Sequence, residues 1–157
     1  MKTNILGLPV KESELLVKEL NILLSNFQVY YQNLRGIHWN IRGKRFFDLH
    51  IKFEELYNDL LLKVDEVAER ILTLGHTPNH KYSDYKKTSE IAESSQVSNG
   101  IKAVEDILHS FKVTISIQRQ LLDLSAEAGD EGTNALMSDY IRAQEKLVWM
   151  YSAFLNK

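Results

Sequence analysis

Residues 50–75 read HIKFEELYNDLLLKVDEVAERILTLG, and two interleaved patterns run through them. Phe53, Leu56, Leu60, Val64, Val67 and Ile71 step by three and four, which lays one apolar stripe along an α-helix. Gly75 suits the left-handed position just past a helix end, and Pro78 beyond it cannot continue a helix. Beside the core stripe lies a second one: His50, Glu54, Tyr57, Leu61, Asp65, Ala68, Glu69 and Leu72. At ~100° per residue, its His50, Glu54, Asp65 and Glu69 fall within a sector of about 100°.

Working outward, Leu16, Leu20, Leu23, Phe27, Tyr31 and Leu34 predict an earlier helix from about Ser13 to the neighbourhood of His38. The turn Asn40-Ile41-Arg42-Gly43 breaks it, because Asn and Gly tolerate the left-handed conformation. A third long helix carries Val104, Leu108, Phe111, Ile115 and Leu122 and ends at Gly129. The fourth carries Leu136, Tyr140, Leu147, Tyr151 and Phe154, with Thr133 or Asp130 as its cap, and runs almost to Lys157. Between the second and third helices, residues 76–100 are polar and too numerous for a simple turn. That connection either crosses the length of the bundle or holds a short helix near Tyr82 to Lys87. Strand-like alternation is nowhere sustained. The reading is all-α: one domain over residues 1–157, a ferritin-like four-helix bundle with a long crossover in the middle.

Composition narrows the chemistry. The chain has 157 residues, enough to bury a real core, and a net charge of −2 that favours neither nucleic acid nor anionic membrane. It contains no Cys, which excludes disulfides, thiolate metal sites, iron–sulfur clusters and cysteine nucleophiles. Met1 to Val10 lacks a signal peptide's apolar core, and no run approaches the ~18 apolar residues of a membrane span. A cytoplasmic protein is expected.

A single polar pair at i,i+4 is commonly a solvated helix face. Here two such pairs, His50/Glu54 and Asp65/Glu69, are interleaved with Tyr57, Leu61 and Leu72, and a half-apolar stripe opposite the core seeks a partner surface. Imidazole with carboxylates and no thiolate suits iron or manganese and is acceptable to zinc. Glu54 and Asp65 lie eleven residues apart, hence ~16 Å along the helix axis, whereas metal–ligand bonds are only about 2 Å. The second helix alone therefore cannot join the pairs. Nor can the rest of the chain: the fourth helix has no His, and the third offers only Glu105 and His109, at i,i+4. Two copies crossing antiparallel near residue 60 bring His50 and Glu54 of one chain to Asp65 and Glu69 of the other. His38, at the end of the first helix, could close each site.

At these residues the chain resembles the Dps family, the mini-ferritins called DNA-binding proteins from starved cells. The matching segments are His38-Trp39-Asn40, Phe46-Phe47-Asp48-Leu49-His50, Phe53-Glu54-Glu55-Leu56-Tyr57 and Asp65-Glu66-Val67-Ala68-Glu69-Arg70. The resemblance implies a hollow homododecamer that takes up Fe(II), oxidises it with hydrogen peroxide or O2 at inter-subunit sites, and stores ferric mineral. It implies His38, His50 and Glu54 from one subunit, with Asp65 and Glu69 from its two-fold mate. Position 54 is Asp in some members and Glu here. Trp39 resembles the family's site-adjacent Trp, an electron donor or an ordinary interface aromatic. For iron entry, the resemblance points to acids near the start of the fourth helix: Asp130, Glu131 and Asp139, with Ala135 where related chains often carry an acid.

The remaining histidines carry less. Pro78 between His76 and His80 spoils their helical spacing, and His109 reads as an ordinary polar residue. DNA-binding members often use Lys/Arg-rich tails, because phosphate neutralisation drives non-specific affinity. Here Lys2 and Lys11 are offset by Glu12 and Glu14, and only Lys157 follows the last helix. DNA binding is expected to be weak or absent. The alternatives to an iron-oxidising cage are a nucleoid protein that protects physically, and a helical oligomer whose acidic stripe only makes interface hydrogen bonds.

Overall fold

The computed structural model describes residues 1–157. Five helices follow in order: α1 (Val10–Asn40), α2 (Phe46–Thr73), α3 (Tyr82–Thr88), α4 (Gly100–Ala128) and α5 (Glu131–Phe154). The four long ones form the bundle, with α1 packed on α2, α4 on α5, and α1 on α4. The crossover both spans the bundle and contains the short helix α3, which packs on α1. The only strand-like pairing is a lone bridge between Thr3 and Pro9.

Helix boundaries follow local chemistry. The sequence suggested Ser13 as the start of the first helix, but α1 begins three residues earlier, at Val10. The Asn4 side chain accepts hydrogen bonds from the amides of Leu6 and Leu8, folding the leading residues into a closed turn. The Val10 amide then bonds to the Lys2 carbonyl, and Pro9 sets the chain into the helix. At the same end of the bundle, Gly129 adopts φ +69° and stops α4. Of the two caps suggested for the last helix, Asp130 takes the position and accepts from the Thr133 amide.

The core is continuous, with Phe27, Phe53, Leu16, Leu20, Ile71, Ile107, Leu121 and Met137 fully enclosed. One buried polar cluster inside it sets the register of two helices. Gln118 and Gln144 exchange two amide hydrogen bonds of 3.0 Å each, and Thr114 donates a third to the Gln144 carbonyl oxygen. These fix α4 against α5, since a slip of one turn would orphan buried amides.

The crossover is held by asparagines that the apolar pattern gave no reason to single out. Asn26, Asn33 and Asn40 are seven residues apart and line one side of α1. Asn26, fully buried, accepts from the amides of Glu90 and Ile91 and from the Ser89 hydroxyl. Asn33 accepts from the Ser94 amide and donates to the Ala92 carbonyl, and Asn40 accepts from the Gln96 amide group. Asn21 accepts from the Asn79 amide nearer the start of the connection. The bonds from Asn26 to Glu90 and Ile91, from Asn33 to Ala92 and Ser94, and from Asn21 to Asn79 supply partners to loop backbone. Replacing Asn26 by Ala should cost roughly 1–3 kcal/mol, measured by urea unfolding; a loss below a few tenths of a kcal/mol would show that the anchor contributes nothing.

Candidate metal centre

The short α1–α2 turn brings His38 beside His50. Four residues at the end of α1 have no intrahelical acceptor role left for their carbonyls, and one of these, His38, uses its carbonyl oxygen to accept from Nδ1 of His50 at 2.8 Å. The exchange is reciprocal: Nδ1 of His38 donates to the His50 carbonyl at 2.6 Å. A carbonyl only accepts, so both Nδ1 atoms carry hydrogen, and each neutral ring keeps its lone pair on Nε2. The rings stack 3.7 Å apart at 12°, and Phe46 stacks on the far side of His50 at 4.8 Å. This is the arrangement in which a second contact fixes tautomer and ring direction, leaving the other nitrogen for a metal. His38 is buried and His50 half-buried.

Glu54 lies one turn further along α2, exposed, and its Oε1 accepts from the Tyr57 hydroxyl at 3.4 Å. Tyr57 also stands edge-on to His38, with centroids 5.4 Å apart. Desolvation, and then the Glu54 carboxylate beside it, push the Tyr57 phenol above its ordinary value, so it remains a donor. Asp65 and Glu69 lie further down α2, both exposed. Nowhere in the chain do three His, Asp or Glu side chains gather closely enough to hold a metal. The structure therefore brings His38 and His50 together, with Glu54 one turn further along α2, and leaves Asp65 and Glu69 apart from them.

The interior offers no substitute. Where the bundle's middle would need carboxylates, it has the Gln118–Gln144 pair, buried Lys63, and three core phenols, Tyr30, Tyr140 and Tyr151, all pushed upward by burial. A groove of about 840 Å³ runs between the first half of α2 and the last half of α5; it contains none of the candidate ligands. The candidate face carries exposed apolar groups instead: Leu61 and Leu72 on α2, and Trp39, 56% exposed, on α1. The Trp39 ring lies 4.9 Å from the guanidinium of Arg35, which also faces Tyr31 and Tyr57.

A model of the ferritin-like domain family matches residues 17–157. The chain is 42% identical over 112 residues to the DNA protection during starvation protein of Porphyromonas gingivalis, covering 71% of this chain and 70% of that one. Among solved structures, the Dps protein of Vibrio cholerae, described as a member of a broad superfamily of ferritin-like diiron-carboxylate proteins, superposes with a TM-score of 0.96 at 53% identity. The match covers 99% of this chain and 98% of that one. A Dps protein from Bacillus brevis gives a TM-score of 0.90 at 32% identity, over 99% of each chain.

The chain belongs to the Dps family of ferritin-like proteins.

Within this Dps chain, one residue suggested for iron entry has another task. Asp130 is 2% exposed, and both of its carboxylate oxygens are occupied. Oδ1 accepts from Arg70 at 2.7 Å and from the Thr133 amide, while Oδ2 accepts from the Thr133 hydroxyl. It caps α5 and ties that cap to α2, and so is not free to line a pore. Asp139 pairs with Arg142, which leaves exposed Glu131 as the unengaged acid of the three. A Cβ on Gly132 would stand 2.8–3.0 Å from the Arg70 guanidinium, so glycine makes room for this clamp. Sequence reading missed it because an acid at a helix start reads equally as a cap, a pore lining or a surface charge. Arg70→Ala would strand a buried carboxylate and should cost roughly 3 kcal/mol in thermal or urea unfolding. A variant as stable as the parent would mean that Asp130 is satisfied without Arg70.

Proposed function

We propose that this Dps chain binds Fe(II) as its substrate at sites formed between two-fold related subunits, oxidises it, and retains the ferric product inside a hollow homo-oligomer, a dodecamer in the cytoplasm. His38, His50 and Glu54 come from one subunit, and Asp65 and Glu69 from its partner. The observation that carries this reading is the reciprocal His38–His50 tether, which presents two Nε2 lone pairs at a helix corner with no acceptor role elsewhere. Three exposed carboxylates on one face of α2, flanked by exposed Leu61 and Leu72, support completion by a second copy.

Each part has a chemical task. Neutral imidazoles bind Fe(II) without adding charge, and the carboxylates stabilise the Fe(III) that forms by offsetting its higher charge. With peroxide as oxidant, two Fe(II) each lose one electron; the O–O bond breaks, two protons are taken up, and two waters leave. Both electrons reach one oxidant molecule, so no hydroxyl radical is released, which is the protective consequence. O2 is the alternative oxidant. Trp39, next to His38 in the chain and exposed, supplies an electron in this reading when only one iron is bound. A DNA-binding role is secondary: the basic residues near the N-terminus, Lys2 and Lys11, are matched by Glu12 and Glu14.

Replacing His50 and Asp65 together by Ala should abolish the fast phase of peroxide-driven Fe(II) oxidation, followed by ferric absorbance in the near ultraviolet, with assembly size unchanged. Unaltered fast oxidation in that variant would remove these residues from the site. In gel-shift titrations at moderate salt the intact protein should leave duplex DNA unretarded; tight, salt-sensitive retardation would favour the nucleoid role.

A further inference from the structure

Tyr57 is the one side chain that touches both kinds of ligand in the half-site. Its hydroxyl reaches Oε1 of Glu54 at 3.4 Å, and its ring stands at 75° to the His38 ring with centroids 5.4 Å apart. The ring is itself braced. Tyr31 meets it edge-on at 5.9 Å, and the Arg35 guanidinium, shared with Tyr31 and Trp39, lies 5.9 Å from its centre. The histidines are fixed by backbone carbonyls, but Glu54 is exposed and has no other hydrogen-bond partner within the chain. A glutamate has three side-chain torsions to fix before it can serve as a ligand, one more than an aspartate, and each costs rotamer freedom.

We propose that Tyr57 is a positioning residue that ties one oxygen of Glu54 to the two-histidine unit and leaves the other oxygen for the metal. This deepens the function proposed above and rests on it. The tie has two consequences. Glu54 meets the metal already held in one rotamer, which raises affinity by removing an ordering cost. With Oε1 engaged by the phenol, Glu54 binds through Oε2 alone, which keeps a coordination position open for the oxidant. The aromatic pair and Arg35 keep the Tyr57 ring in place whether or not metal is present.

The test uses the assembled protein and Co(II), which binds imidazole and carboxylate but is not oxidised by air, so that binding is read separately from turnover. Tyr57→Phe keeps the ring contacts and removes only the hydroxyl. It should weaken Co(II) about fivefold in a titration followed by visible absorbance, the worth of roughly one net hydrogen bond. The band shape should also change as Glu54 becomes free to chelate through both oxygens. In a Glu54→Gln background the same substitution should have no effect, because Tyr57 acts through the carboxylate. Equal affinities and spectra for wild type and Tyr57→Phe overturn the positioning role, as does the same loss with and without Glu54. His50→Ala is the control for the site itself. If neither it nor Glu54→Gln alters Co(II) binding, the site assignment falls and the positioning role with it, whereas intact ligand effects beside a silent Tyr57→Phe sink the positioning role alone.

Discussion

An unbroken α-helix is a ruler. Over the 28 residues of α2 nothing bends or shortens the rise, so Glu54 and Asp65 stay ~16 Å apart on one face whatever the rest of the chain does. Two consequences follow from that rigidity. The two polar pairs can never be ligands to one metal within a subunit, and the exposed apolar groups between them, Leu61 above all, keep that face adhesive. A two-fold axis near residue 60 would resolve both at once, because it would set each half-site against the other chain's complement. The same helix holds its opposite face in the core, so the direction of its exposed face is set by the packing of Phe53, Leu60, Val67 and Ile71.

Everything that makes the half-site specific is built at the corner where α1 turns into α2. The end of a helix has carbonyls to spare, and a histidine one helix over has a hydrogen to give. That bond and its reciprocal, from His38 to the His50 carbonyl within α2, lock two imidazoles face to face with their remaining nitrogens unclaimed. The rest of the molecule serves to keep that corner still. The asparagines of α1 strap the crossover along its flank. At the far end, Arg70 fastens α2 to the cap of α5, so Asp65 and Glu69 sit on a segment tied down one residue beyond Glu69.

How much of this was legible in residues alone depended on whether the signal was periodic. Apolar spacing located all four long helices, because burial of a stripe is what a bundle requires of each helix; the short helix in the crossover was one of two alternatives raised by the length of that connection. That α2 alone cannot join its two polar pairs was also readable, since it is arithmetic on helical rise. Three kinds of feature were not. The start of α1 is set by Asn4 folding the leading residues back, a side-chain-to-backbone event with no periodicity. The tie from Tyr57 to Glu54 was hidden because a tyrosine in a half-apolar stripe reads as interface packing. The clamp between Arg70 and Asp130 spans sixty residues, and a sequence without its fold offers no reason to pair them. Asparagines seven apart on α1 were a visible signal that went unused; on a helix with an apolar stripe, polar residues repeating every second turn mark a line where something polar is held.

The most direct measurement of the central claim, that each site is shared between two chains, is complementation between two inactive variants. One chain carries His50→Ala and the other Asp65→Ala with Glu69→Ala; each assembled alone should lack fast Fe(II) oxidation. Co-assembled in equal amounts, a mixed pair has one site lacking His50, Asp65 and Glu69 and one with every ligand intact. The mixture should therefore regain about a quarter of the wild-type fast-phase amplitude when pairing is random. Recovery at that level is what shared sites require. A mixture as silent as its two components, with mixed assemblies verified by mass, would contradict the account, because it would mean that both halves of the ligand set must come from one chain.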